Sequence, residues 1–305
     1  VTAESDVTTC FRHPTVESHV RCTRCDRYIC PDCMREAAVG HQCVECVKEG
    51  TRSVRQARTA FGGRISAVPL VTYALVGLNV LAYLCELVRP SLVDRFGMLG
   101  AGLLGPDGGH YLWQYPYDPV LRPEGLADGQ WERLLTGSFL HMPPDEGMGM
   151  VHIVMNMVSL WSIGRVVEIQ LGRARYLALY LLSALGGSVL VLLVAPDDLT
   201  IGASGAIFGL GAAYWVMGRR LGYDMRAVNQ YMTGLLVWLV ISAFMTSWEA
   251  HLGGLLTGAL VTLAYAYAPR DKRRTLIQAG ACAALVVLLL VLTWVKVAGY
   301  TSGMA

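Results

Sequence analysis

The chain has 305 residues, 54% of them hydrophobic, and a formal net charge of +2. Charged residues make up 16%, against about 25% in soluble domains, and residues 1–64 are polar and charged while most of the rest is apolar. That excludes an ordinary soluble globule, and the near-neutral balance without aromatic-basic interleaving gives no footing for nucleic acid. An all-α polytopic membrane protein with a small polar head is expected.

The first residues carry Glu4 and Asp6 and no apolar core behind a basic start, so they do not read as a signal peptide. Targeting is expected from the first span. After a polar tail over residues 1–9, seven of the nine cysteines fall between positions 10 and 46, as Cys10-x2-His13, Cys22-x2-Cys25, Cys30-x2-Cys33 and Cys43-x2-Cys46. This spacing suits thiolate ligands in a reducing compartment rather than disulfides. Four ligand pairs close two tetrahedral sites, the geometry zinc prefers. Alternation of the pairs predicts a cross-braced domain over residues 10–47. One site takes Cys10, His13, Cys30 and Cys33; the other takes Cys22, Cys25, Cys43 and Cys46; His41 is left as a spare. So short a segment holds no large apolar core, so two structural zinc ions are expected to supply much of its folding energy. Both sites are saturated by protein ligands and leave no open position for catalysis. The pattern resembles B-box-type zinc modules, which implies docking to a cytoplasmic protein partner; a metal-stapled cap is the plainer alternative.

Residues 48–67 read as a basic linker, with Lys48, Arg52, Arg55, Arg58 and Arg64. The first span is expected over 68–88, near the ~20 residues needed to cross the hydrocarbon core. Residues 89–148 are rich in Gly, Pro and aromatics and too polar to span, so they are expected as a membrane-associated loop. Further apolar runs cover 149–167, 174–195, 203–218, 228–245, 250–268 and 275–297, making seven spans, with a tail over 298–305. The 203–218 run is short for a lipid-facing helix and suits one enclosed by neighbours. Arginines and lysines gather in alternate connections: Arg165, Arg173 and Arg175; Arg219, Arg220 and Arg226; Arg270, Lys272, Arg273 and Arg274. The positive-inside rule then places the N-terminus in the cytoplasm and the C-terminus outside, in the plasma membrane.

This topology sets Ser204, His251, His152 and Asn156 in the outer part of the bilayer. Ionisable and polar groups inside a membrane are costly and are functional suspects. His152 and Asn156 are four apart and share a helix face. Gly205 and Gly209 repeat as small-xxx-small, as do Gly254 and Gly258, which lets helix backbones approach closely. Contact along these stripes would bring His251 to Ser204, with Phe208 on the imidazole. Ser204 is the expected nucleophile with His251 as general base and acid, and His152 and Asn156 would donate to an oxyanion; packing for Ser204, an interfacial place for His251 and interhelical hydrogen bonding for His152 and Asn156 are the plainer alternatives. Glu249 beside His251 lies at the water boundary and is not expected to orient the ring.

Residues 68–268 resemble the rhomboid family of intramembrane serine proteases. The resemblance rests on Arg133-Leu134-Leu135-Thr136 with Phe139-Leu140-His141, His152-x3-Asn156, Gly202-Ala203-Ser204-Gly205 and Ala250-His251-Leu252-Gly253-Gly254. It implies a six-helix core with a Ser204–His251 dyad and an oxyanion site including His152 and Asn156. It also implies cleavage of transmembrane protein substrates of the lipid bilayer, within or beside a transmembrane segment, with no cofactor for catalysis. Residues 269–297 then fit a six-plus-one arrangement. Trp131 and Arg133 resemble the family's Trp-Arg motif with Glu132 inserted, and Glu168 resembles a glutamate that ties helices together. Met155 and Trp238 are candidates for a lateral gate, with lipid contact or packing as the plainer role. The alternative is a proteolytically inactive relative that binds membrane proteins for quality control; a transporter or scaffold leaves the four polar groups unexplained.

Overall fold

The computed structural model describes residues 8–53, 57–114, 116–145, 147–244 and 247–302. Arg55 and Glu146, and the side chain of Arg52, lie outside the described residues. The chain divides into two compact units, Val1–Ala57 and Arg58–Ala305.

In the first unit, β1 (Thr9–Cys10) pairs antiparallel with β2 (His13–Glu17), and β3 (Met34–Glu36) with β4 (His41–Cys43). A 3-10 turn over Pro31–Cys33 precedes β3, and α1 (Val44–Ser53) closes the unit. Its core is Ile29 surrounded by cysteine sulfurs, with Phe11 and Met34 partly buried against them. Two hairpins this short cannot hold a fold by area alone.

The second unit holds seven long helices among the described residues: α2 (Leu70–Val88), α5 (Met150–Leu171), α6 (Arg173–Val194), α7 (Ser204–Leu221), α8 (Met225–Ser242), α9 (Trp248–Tyr267) and α10 (Arg274–Ser302). Between α2 and α5 lie α3 (Ser91–Phe96), an antiparallel sheet ordered β6-β5-β7 and α4 (Arg133–Thr136). The sheet comprises β5 (Gly102–Leu104), β6 (His110–Tyr111) and β7 (Arg122–Glu124).

Five of the seven, α2, α5, α6, α9 and α10, are long and apolar enough to cross a membrane. Helices α7 and α8 fall short by that measure. Helix α7 carries four glycines and three alanines, with Arg219 and Arg220 in its last turn, and it is enclosed: Gly205 through Ala213 are all buried. A helix screened from lipid by protein need not be strongly apolar. In α8 the polar Arg226, Asn229 and Gln230 sit near the start.

Two expected boundaries are corrected. The linker 48–67 is neither all linker nor all polar: α1 runs to Ser53, and Phe61 is buried in the helical core, its carbonyl accepting from Gln278 Nε2 at 3.1 Å. The tail 298–305 is helical through Ser302, because Val297 and Tyr300 pack onto the 89–148 segment and α6.

The bundle centres on α7, held against α6 and α9 by backbone proximity. A Cβ on Gly254 would run into the Gly205 carbonyl, one on Gly258 into Gly209 and one on Gly209 into Ser183. With no hydrophobic drive between helices in lipid, such close packing is what binds them. Helix α5 is tied to α2 by Glu168, whose carboxylate accepts from the Val71 amide (3.0 Å), the Thr72 amide (2.7 Å) and the Thr72 hydroxyl (2.8 Å). Those amides belong to the first turn of α2, which has no intrahelical acceptor for them. Arg133 is 1% exposed and locks the 89–148 segment by donating to the Gly97 carbonyl (2.8 Å) and Gln130 Oε1 (2.7 Å).

Candidate active site and metal centres

Ser204 is the first residue of α7 and His251 lies in the first turn of α9. Because the two helices touch along their glycines, Ser204 Oγ and His251 Nε2 stand 2.8 Å apart across 47 residues of sequence. Phe208, one turn below Ser204, stacks on the imidazole with centroids 4.4 Å apart and planes inclined by 13°. His251 is 4% exposed.

The segment entering α7 is shaped by Gly202, at φ +122°, a region closed to most side chains. A Cβ there would lie 2.8 Å from His152 Cε1 and Nε2, so the glycine lets the His152 ring approach the chain leading to Ser204. The Met142 amide donates to His152 Nδ1 at 3.2 Å. A ring nitrogen that accepts carries no proton, so the His152 proton is on Nε2. One turn on, Asn156 Nδ2 donates to the His152 carbonyl at 2.8 Å. Behind them His141 is fully buried, its ring 5.2 Å from that of His152 and edge-on to Tyr83, and its amide donates to Glu86 Oε2 at 3.0 Å. It is a wedge in the core.

Ser204, His251, His152 and Asn156 all line one cavity of about 730 Å³. Met155 of α5 and Trp238 of α8 stand in its wall, and Glu249 and Asp198 line it too. Among the described residues the His251 hydrogen bonds run to Ser204 and to Ser242 Oγ (2.9 Å to Nδ1), not to Glu249. Ser242 closes α8 and is fully buried. Sequence reasoning missed it: a serine at the end of an apolar run carries no periodic signal.

In the first unit, Cys10, His13, Cys30 and Cys33 form one tetrad and Cys22, Cys25, Cys43 and Cys46 another. In each, the ligand atoms all lie within 4.8 Å of one another. His41 sits in β4 and belongs to neither. The thiols disagree within each tetrad. Burial and neighbouring cysteines push Cys33 up to about 11 and Cys46 up to about 12. Burial also works against the Cys10 thiolate, yet donation from the Cys30, Arg12 and His13 amides holds it at about 6; Cys22 is held at about 6 likewise by the Cys43, Arg24 and Cys25 amides. A divalent cation removes this conflict, because it lets every thiol in the set give up its proton. The first tetrad, three thiols and an imidazole, and the second, all thiols, could each hold zinc.

A family profile described as Rhomboid domain matches residues 128–268. The chain is 35% identical over 140 residues to the rhomboid protease GluP of Bacillus subtilis, an alignment covering 44% of this chain and 26% of GluP. It is 33% identical over 146 residues to YdcA of the same bacterium, covering 45% of this chain and 69% of YdcA. Against RHOMBOID-like protein 4 of Arabidopsis thaliana it is 33% identical over 182 residues, covering 52% of this chain and 43% of that protein. The chain thus spans about a quarter of GluP and less than half of the plant protein.

Proposed function

The chain belongs to the rhomboid family, and from that premise we propose that it is an intramembrane serine endopeptidase acting on transmembrane protein substrates. The observation that carries the reading is the 2.8 Å approach of Ser204 Oγ to His251 Nε2 at a cavity of the bundle.

Ser204 gives its proton to His251 Nε2 as its oxygen bonds to the scissile carbonyl carbon. The negative charge that grows on the carbonyl oxygen is met by His152 Nε2–H, by the Asn156 amide and by the first amides of α7, which have no intrahelical acceptor. His251 then passes its proton to the leaving amine as the C–N bond breaks, and activates a water that hydrolyses the acyl ester. A substrate helix keeps its carbonyls in internal hydrogen bonds, so it must unwind before attack. Segments with Gly or Pro near the cut are the expected substrates.

The head holds two structural zinc ions in this reading and serves as a docking module on the cytoplasmic side. The basic connections face the cytoplasm of the plasma membrane, the side on which thiolates stay reduced.

The test is labelling of the full chain in liposomes by a fluorophosphonate, beside cleavage of a transmembrane substrate. Wild type is labelled at Ser204 and cleaves, whereas Ser204→Ala does neither while keeping its thermal stability. A wild-type chain that takes no label and holds its substrate intact would instead be an inactive relative that binds membrane proteins.

A further inference from the structure

The dyad needs a bare Nε2 on His251, and an imidazole can carry its single proton on either nitrogen. Which one is decided by the group at Nδ1. That group is Ser242 Oγ, at 2.9 Å, contributed by α8 rather than by α7 or α9.

A serine hydroxyl has one hydrogen to give. At Ser242 it goes to the Leu239 carbonyl at 2.7 Å. The reason lies in the end of α8. A helix leaves its last carbonyls without intrahelical donors, and here the Ala243 amide turns to the Val240 carbonyl instead of reaching back to Leu239. The Leu239 carbonyl can only accept, so it claims the Ser242 hydrogen. With Ser242 fully buried, solvent does not compete. Its oxygen is then left as an acceptor towards His251, so Nδ1 bears the proton and Nε2 faces Ser204 with its lone pair. The converse arrangement, Ser242 donating to Nδ1, would take its hydroxyl donor from the Leu239 carbonyl and place a proton between Nε2 and the nucleophile.

The geometry points to Ser242 as the positioning residue that fixes the His251 tautomer, so that the end of α8 prepares the general base. This rests on the protease reading above. The contact also matters after proton transfer, because Nδ1–H of the imidazolium binds the same oxygen more strongly than the neutral ring does. Helix α8 is the most loosely packed of the seven, with only Val228 and Ser242 buried. The Ser242 contact is where it reaches the dyad.

The experiment uses the full chain in detergent, with histidine nitrogens labelled by 15N and the His251 signals assigned by difference from His251→Ala. Wild type is expected to show His251 protonated at Nδ1. In Ser242→Ala the two tautomers mix and kcat/KM for a transmembrane substrate falls about tenfold, the worth of one neutral hydrogen bond. Ser242→Thr keeps the hydroxyl and restores both. A wild-type His251 protonated at Nε2 overturns the proposal whether or not the variants fold, and so does Ser242→Ala with unchanged turnover. Failure of the protease reading looks different: wild type takes no fluorophosphonate label whatever its tautomer.

Discussion

His152 and His251 line the same cavity, but their Nδ1 atoms meet unlike partners: a backbone N–H, that of Met142, at His152 and a hydroxyl, that of Ser242, at His251. The first partner can only donate, which makes His152 Nε2 a proton donor. Removing one such donor costs about 100- to 1,000-fold in kcat. His152→Ala is therefore expected to lose that much turnover on a transmembrane substrate with KM little changed, measured in liposomes. A change confined to KM would put His152 in substrate binding instead.

The α7–α9 contact makes a second prediction. Gly254→Ala adds a methyl where the Gly205 carbonyl stands, and Gly258→Ala adds one against Gly209. Overpacking of this kind costs about 1–3 kcal/mol, and at Gly254 it pries apart the ends that bear Ser204 and His251. Both variants should melt earlier in detergent, and Gly254→Ala should also lose fluorophosphonate labelling. Gly280→Ala, where a Cβ meets nothing within 4 Å, is the matched control and should leave both measurements unchanged.

Glu168 offers a test of how α2 is held. Its carboxylate satisfies the Val71 and Thr72 amides and the Thr72 hydroxyl. Glu168→Ala strands these groups at about 1–3 kcal/mol each. A lower melting temperature is expected, with labelling retained below it. Loss of labelling in a fully folded variant would mean that the tie reaches the dyad.

For the head, elemental analysis should find two zinc ions per chain. Cys22→Ser should lower the count by one while the Cys10 tetrad keeps its metal. Acid acts in the same direction, because protons compete with the metal for the cysteine thiolates: zinc retention should fall as the pH is lowered, read with a chromogenic chelator. Chelation should expose residues 8–53 to protease and spare the helices.

Much of this was legible in the sequence because the signals are local or compositional. Apolar runs gave the helices, and metal-ligand spacing marked out the tetrads, since Cys-x2-Cys has few other uses. The glycine stripes and the polar residues at helix heads marked where α7 and α9 would meet. The unread parts depend on contacts distant in sequence. The folding of residues 89–148 turns on Arg133 reaching Gly97 and on strands of two or three residues, too short for any periodicity. Phe61 looked like linker because the core that buries it is assembled from later helices, and Gln278, which donates to its carbonyl, lies more than two hundred positions away. Ser242 stayed hidden because one hydroxyl at a helix end resembles any other until the ring it meets is in view.

The glycine-to-glycine seam has a mechanical consequence. Where main chain rests on main chain, the spacing of the two helices that bear nucleophile and base is set by parts that have no rotamers to explore. Thickening or thinning of the surrounding lipid is then taken up at the periphery, in the largely exposed α10, and the backbones that carry the reacting pair keep their spacing.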